Sequence, residues 1–113
     1  MNNELNAKMA EVMGYVKTKW GNNVGYVWKL TDAKYQPLDW WNPTEDMNQA
    51  MVCWKKAKIK MYVSFDPDDP DVFWVSRYVD EIERRVTTAS LEELPLAICE
   101  SIRESIKESK GDK

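Results

Sequence analysis

Six residues in the second half of the chain, Asp66-Pro67-Asp68-Asp69-Pro70-Asp71, constrain the fold more than any others. Two prolines remove backbone donors and four carboxylates repel one another, so this run cannot continue a strand and reads as a tight surface turn. Before it the apolar period is two, with Ile59, Met61, Val63 and Phe65 on one face and Lys60, Tyr62 and Ser64 on the other. After it, Val72 to Val79 is strongly β-prone through Phe73, Trp74, Val75, Tyr78 and Val79. A turn this short between two such runs demands antiparallel pairing. A third run, Ile82 to Ala89, follows a turn or bulge at Asp80-Glu81 and extends the pair into a meander.

Helical spacing governs the flanks. Leu5, Met9, Val12, Met13, Val16 and Trp20 predict an amphipathic helix of about four turns, ended by Gly21-Asn22-Asn23. Val24 to Leu30 alternates as a strand, and Thr31 to Trp41, without periodicity, is expected to be a loop. Asn42-Pro43-Thr44-Glu45 has the cap, the first-turn proline and the reciprocal glutamate of a helix start, ahead of an inward stripe of Met47, Ala50, Met51, Trp54 and Ala57. Ser90 to Glu93 caps a last helix spaced by Leu94, Ile98, Ile102 and Ile106. The expected fold class is α+β: an alpha-beta-alpha sandwich in which three helices cover both sides of a single, mainly antiparallel four-stranded sheet, in the order α-β-α-β-β-β-α. Residues 1–109 are expected to form one compact domain, with 110–113 a frayed tail.

Composition removes most chemistry. The 113 residues include six Trp and no His, so His bases, His metal ligands and Ser-His or Cys-His pairs are excluded. The only thiols, Cys53 and Cys99, lie in apolar patterns without metal-ligand spacing, which predicts buried reduced residues and a reducing cytoplasm. Residues 1–60 carry nine Lys against six acids, and residues 61–113 carry seven basic groups against thirteen. The overall charge of −3 argues against general nucleic-acid binding. With no continuous apolar segment at the N-terminus and no long apolar run elsewhere, neither a signal peptide nor a membrane span is expected.

Three stretches resemble a known family. Val12-Met13-Gly14-Tyr15, then Trp41-Asn42-Pro43-Thr44 leading into Met47, Ala50 and Trp54, and finally Thr87-Thr88-Ala89-Ser90 through Leu94-Pro95-Leu96-Ala97-Ile98-Cys99 are similar, in the same order, to the phage ABA sandwich domain. The resemblance implies an alpha-beta-alpha sandwich and a phage origin. It implies no reaction and carries over no catalytic residue.

The candidate site is aromatic and basic: Trp40, Trp41, Trp74 and Tyr78 with Arg77, Arg84 and Arg85. Rings offer flat surface to a base and Arg reads phosphate, so the set fits a nucleotide-type ligand. Trp40-Trp41 stands out because two adjacent Trp in a loop beside a helix start do not readily share one direction. Arg77, among apolar neighbours, is either paired with a loop acid or aimed at a ligand. The acidic turn lacks EF-hand spacing and reads as solvated, Lys55, Lys56, Lys58 and Lys60 read as a solvated helix end, and no metal or cofactor is expected.

The functional expectation is a non-enzymatic, phage-encoded binding protein of the host cytoplasm. It sequesters a small anionic ligand such as a cyclic nucleotide immune signal, as an anti-defence sponge, and forms a homo-oligomer. The alternatives are a protein-interaction module or homo-oligomeric structural protein, and third a metal-dependent phosphodiesterase using Asp66, Asp68 or Asp71.

Overall fold

In a computed structural model describing residues 3–19, 25–78 and 84–111, the acidic run joins two antiparallel strands, as its composition requires. The elements in chain order are α1 (Asn3–Met13), β1 (Val16–Lys19), β2 (Tyr26–Thr31), β3 (Lys34–Pro37), a 3-10 turn (Leu38–Trp40), α2 (Met47–Ala57), β4 (Met61–Phe65), β5 (Val72–Tyr78), β6 (Arg84–Ser90) and α3 (Leu94–Gly111). Trp20 to Val24, with the expected helix end, and Val79 to Glu83, with the expected turn at Asp80-Glu81, lie outside the described residues, as do Asp112 and Lys113.

The single four-stranded sheet is not what forms. Six strands make two separate three-stranded antiparallel sheets, β1-β2-β3 and β4-β5-β6. The first reason is Gly14, whose φ of 80° stops α1 after Met13 and frees Val16 to Lys19 to pair with β2. A helical period that fits Val16 by spacing is thus overruled by one glycine. The second reason is a hairpin inside the expected loop: Thr31 pairs with Lys34 across Asp32-Ala33, and the Thr31 hydroxyl accepts from the Ala33 amide at 3.2 Å.

Nor are the helices on both sides of a sheet. The three helices pack on one another, and α3 lies against one face of β5 and β6. Val75 and Ala89 on that face meet Leu94, Ala97, Ile98 and Ile102 of α3, with Leu5, Met9 and Ala10 of α1 and Ala50 and Cys53 of α2 completing the core. The opposite face keeps Tyr62, Trp74 and Val86 exposed. The first sheet holds no buried residue and is anchored through Trp28. This is why the radius of gyration is 15.8 Å, against about 13 Å for a sphere-like chain of this length.

The helix starts differ in position rather than kind. Asn42 to Glu45 form a turn closed by Glu45 and Asp46 amides on the Asn42 carbonyl, and Asp46 caps α2 by accepting from the Gln49 amide at 3.2 Å. The Ser90–Glu93 box is present: Ser90 N donates to Glu93 Oε1 at 3.2 Å and Glu93 N to Ser90 Oγ at 3.4 Å. Along α2 the inward stripe includes Cys53 and Ala50, while Met51 is exposed.

Candidate binding site

The seven expected site residues do not meet in one place. Trp41 is 4% exposed and belongs to the core. Its indole N–H donates to the Asn6 carbonyl at 2.8 Å, and its ring meets Tyr15 edge-on at 5.0 Å and Trp40 at 5.6 Å. Around it the entry to α2 is tied to α1 by a polar network. Asn42 Oδ1 accepts from Asn6 Nδ2 (3.1 Å) and Thr44 Oγ1 (3.2 Å), the Thr44 amide donates to Asn6 Oδ1 (3.2 Å), and Gln49 links the Asn42 amide to the Trp40 carbonyl. The polar side-chain atoms of Trp41, Asn42 and Thr44 thus find partners, several of them on Asn6, and the motif clamps two helices together.

Arg77 stands on the inner face of β5, where its guanidinium forms a two-point ion pair with Glu108 of α3. The register sets Arg85 directly opposite it on β6, so Glu108 also offsets a like-charge pair that cross-strand geometry disfavours. The expected loop acid is not the partner: Arg77 pairs with an acid of a helix, because its place on the inner face of β5 points it at α3 and away from the turns. Arg84 pairs with Tyr78 in the register, and its side chain lies outside the described residues.

Trp74 and Tyr78 do share one face, the outer face of the second sheet, on either side of Ser76. The register Tyr62↔Ser76 and Ser64↔Trp74 brings Tyr62 beside them. Tyr62 and Tyr78 meet edge to face at 5.9 Å, and the Lys60 ammonium sits 5.5 Å from the Tyr78 ring centroid. Trp74 is held by a hydrogen bond from its Nε1 to Asp66 Oδ2 at 3.1 Å. Three rings, two of them set edge to face, with one cation and the small hydroxyl of Ser76 buried beneath them, make an aromatic surface with a positive end. Lys60 and Tyr62 were absent from the expected set. Period-two alternation already put them on one face of their own strand, but only the cross-strand register shows that Trp74 and Tyr78 share it.

Other candidates are chemically quiet. Burial pushes the Cys53 and Cys99 thiols up to about 12, which leaves both protonated and unreactive at neutral pH. Burial, with Cys53 nearby, also raises Tyr15. In the acidic turn Asp66 Oδ1 accepts from the Asp68 amide at 2.8 Å and Asp69 Oδ1 from the Asp71 amide at 3.0 Å, so two carboxylates shape the loop. Among the described residues no cluster of His, Cys, Asp or Glu could hold a metal ion. No described helix is long and apolar enough to cross a membrane. A groove of 790 Å³ between α1 and α3, floored by Leu5 and Ile106, mixes Lys8, Arg103 and Lys107 with Glu4 and Glu11 and contains none of the expected site residues.

The chain matches no family model, no curated protein and no solved structure.

Proposed function

We propose that the protein is a binding module, not an enzyme, and that it holds a planar anionic ligand of the nucleotide class on the outer face of the second sheet. The observation that carries this is the exposure of Tyr62 (52%) and Trp74 (36%) on one sheet face with Tyr78 and its Lys60 cation. Exposed rings on a sheet give a base a stacking partner worth about 1–3 kcal/mol, and an ammonium at the rim suits a phosphate. The absence of histidine and the high thiol pKa values favour holding over catalysis. Taken with the resemblance to the phage ABA sandwich domain, the ligand becomes a cyclic-nucleotide immune signal. The protein is then a phage-encoded sponge in the host cytoplasm that works as a homo-oligomer.

A second reading, a protein-interaction module, is favoured by the exposure of Phe65 (74%) and Leu91 (67%). Calorimetric titration against mono- and cyclic nucleotides separates the two. Saturable binding is expected, weakened roughly five- to hundred-fold by Trp74→Ala, the equivalent of one lost stack. No binding across the panel would reject the nucleotide ligand, and recovery of a chemically altered ligand would make the protein an enzyme.

A further inference from the structure

We propose that two copies of the chain join through the outer edge of β6, building one continuous six-stranded sheet. This rests on the proposal that the chain self-associates, and not on the identity of the ligand.

Unpaired strand edges recruit other strands unless something prevents it, commonly lysine, proline or brevity. Every other sheet edge among the described strands has such a device. β1 reads Val-Lys-Thr-Lys, β3 starts at Lys34 and ends at Pro37, and β4 is five residues long with Lys60 before it and Pro67 after it. β6 is seven residues long and has neither Lys nor Pro. Its two arginines both stand at its beginning, leaving Val86-Thr87-Thr88-Ala89-Ser90 uncharged, with three β-branched residues of the five.

Exposure marks the same stretch. A strand with a helix on one side alternates buried and exposed residues, as Val75 and Trp74 do on β5. Arg85, Val86, Thr87 and Thr88 are instead exposed one after another, so α3 does not reach over this part of β6.

The charges select a second copy as the occupant. Arg84-Arg85 precede the uncharged stretch, and Glu92-Glu93 follow it in the turn before α3. An antiparallel pairing about a two-fold axis through Thr88 sets Val86 against Ser90 and Thr87 against Ala89 of the other copy. It also carries the Arg84-Arg85 end of each copy to the Leu91–Glu93 turn of the other, twice per dimer. A β6 edge is thereby complementary to itself in hydrogen bonding and in charge, which is what an isologous interface requires. The two outer faces become one surface, with the Tyr62-Trp74-Tyr78 rings of each copy on either side of the axis.

Thr88→Cys tests the geometry, because residues facing themselves across such an axis come within disulfide reach and both native thiols are buried. Under mild oxidation this variant is expected to give a covalent dimer on a non-reducing gel, whereas Ser64→Cys on the β4 edge is expected to stay monomeric. Thr88→Lys and Thr88→Glu should each sediment as monomers with unchanged circular dichroism, and their mixture should recover the dimer. A wild-type chain that is monomeric up to millimolar concentration would overturn both this interface and self-association. A wild-type dimer that survives Thr88→Lys, or cross-links through Ser64→Cys, would overturn the β6 interface alone.

Discussion

The indole N–H of Trp41 donates to the backbone carbonyl of Asn6 at 2.8 Å, joining residues 35 positions apart at the junction of α1 with the entry to α2. Tryptophan here is a fastener. Its ring fills the core while its one polar atom satisfies a carbonyl of α1. Trp41→Ala should therefore cost about 3–5 kcal/mol in urea denaturation, as a large buried truncation. Asn6→Ala leaves the ring in place and removes the side-chain bonds to Asn42 and Thr44, for an expected loss of about 1–3 kcal/mol. Nucleotide affinity measured on the folded fraction should not change in Asn6→Ala, since the clamp is remote from the outer sheet face.

The pair Arg77–Glu108 predicts an asymmetry between its two deletions. Glu108→Ala leaves the mostly buried Arg77 facing Arg85 with its acid gone, and should destabilise by about 2–3 kcal/mol. Arg77→Met replaces the cation with apolar volume and lets the half-exposed carboxylate turn to water, so its cost should be about 1 kcal/mol or less. Chemical denaturation of the two variants side by side checks the order, and a reversed order would mean that Glu108 is not what holds Arg77.

Alkaline pH should unlock the core through its thiols. An ordinary cysteine begins to ionise near 9, whereas Cys53 and Cys99 are pushed up to about 12 in the folded chain. Between these values the folded state binds more protons than the unfolded one, so stability is intact below about pH 9 and falls as pH rises towards about 12. The slope is at most about 1.4 kcal/mol per pH unit per thiol. Thermal melts across this range should show the decline, and Cys53→Ala with Cys99→Ala should make it shallower, leaving the part that belongs to Tyr15. Thiol-labelling reagents at neutral pH should react only after denaturation.

The acidic turn should behave as a turn and not as a metal site. Asp66 accepts from the Asp68 amide and from the Trp74 indole, so Asp66→Ala should cost about 1–2 kcal/mol and alter Trp emission. Added Mg²⁺ or Ca²⁺, or a chelator, should leave the melting temperature where it was. A rise in melting temperature with either ion would reassign the loop as a cation site.

Much of the second sheet and of α3 was legible in the residues, because there local signals agree with one another. The Asp/Pro turn, the alternation on both sides of it and the Ser90-Glu93 box all act within a few residues. The first sheet was not legible, and Gly14 shows why. Val16 fits the helical period of Leu5, Met9 and Val12, and only the backbone at one left-handed glycine decides that the helix has ended. β3 was hidden for a related reason, since Lys-Tyr-Gln-Pro has no buried face and hence no alternation to read.

The site was half legible. Trp74 and Tyr78 share a face by parity alone, whereas their companions Lys60 and Tyr62 sit on another strand and are joined to them by register. The Trp40-Trp41 pair was conspicuous in composition, yet its role depends on Asn6, which nothing nearby in the chain foretells. Arg77 could be narrowed to a loop acid or a ligand, and its partner is neither, but a helical glutamate 31 residues away on α3.

The core described above joins Leu5, Met9 and Ala10 of α1 to Leu94, Ile98 and Ile102 of α3, far apart in sequence. A nascent chain on the ribosome can close the β4-β5 hairpin early, because that contact spans few residues. It can lean the apolar stripe of α1 on α2 but cannot finish covering it until α3 has emerged. The earliest made of these three helices is thus among the last to be fully secured, and until α3 arrives part of its hydrophobic side is open to whatever else binds such surfaces.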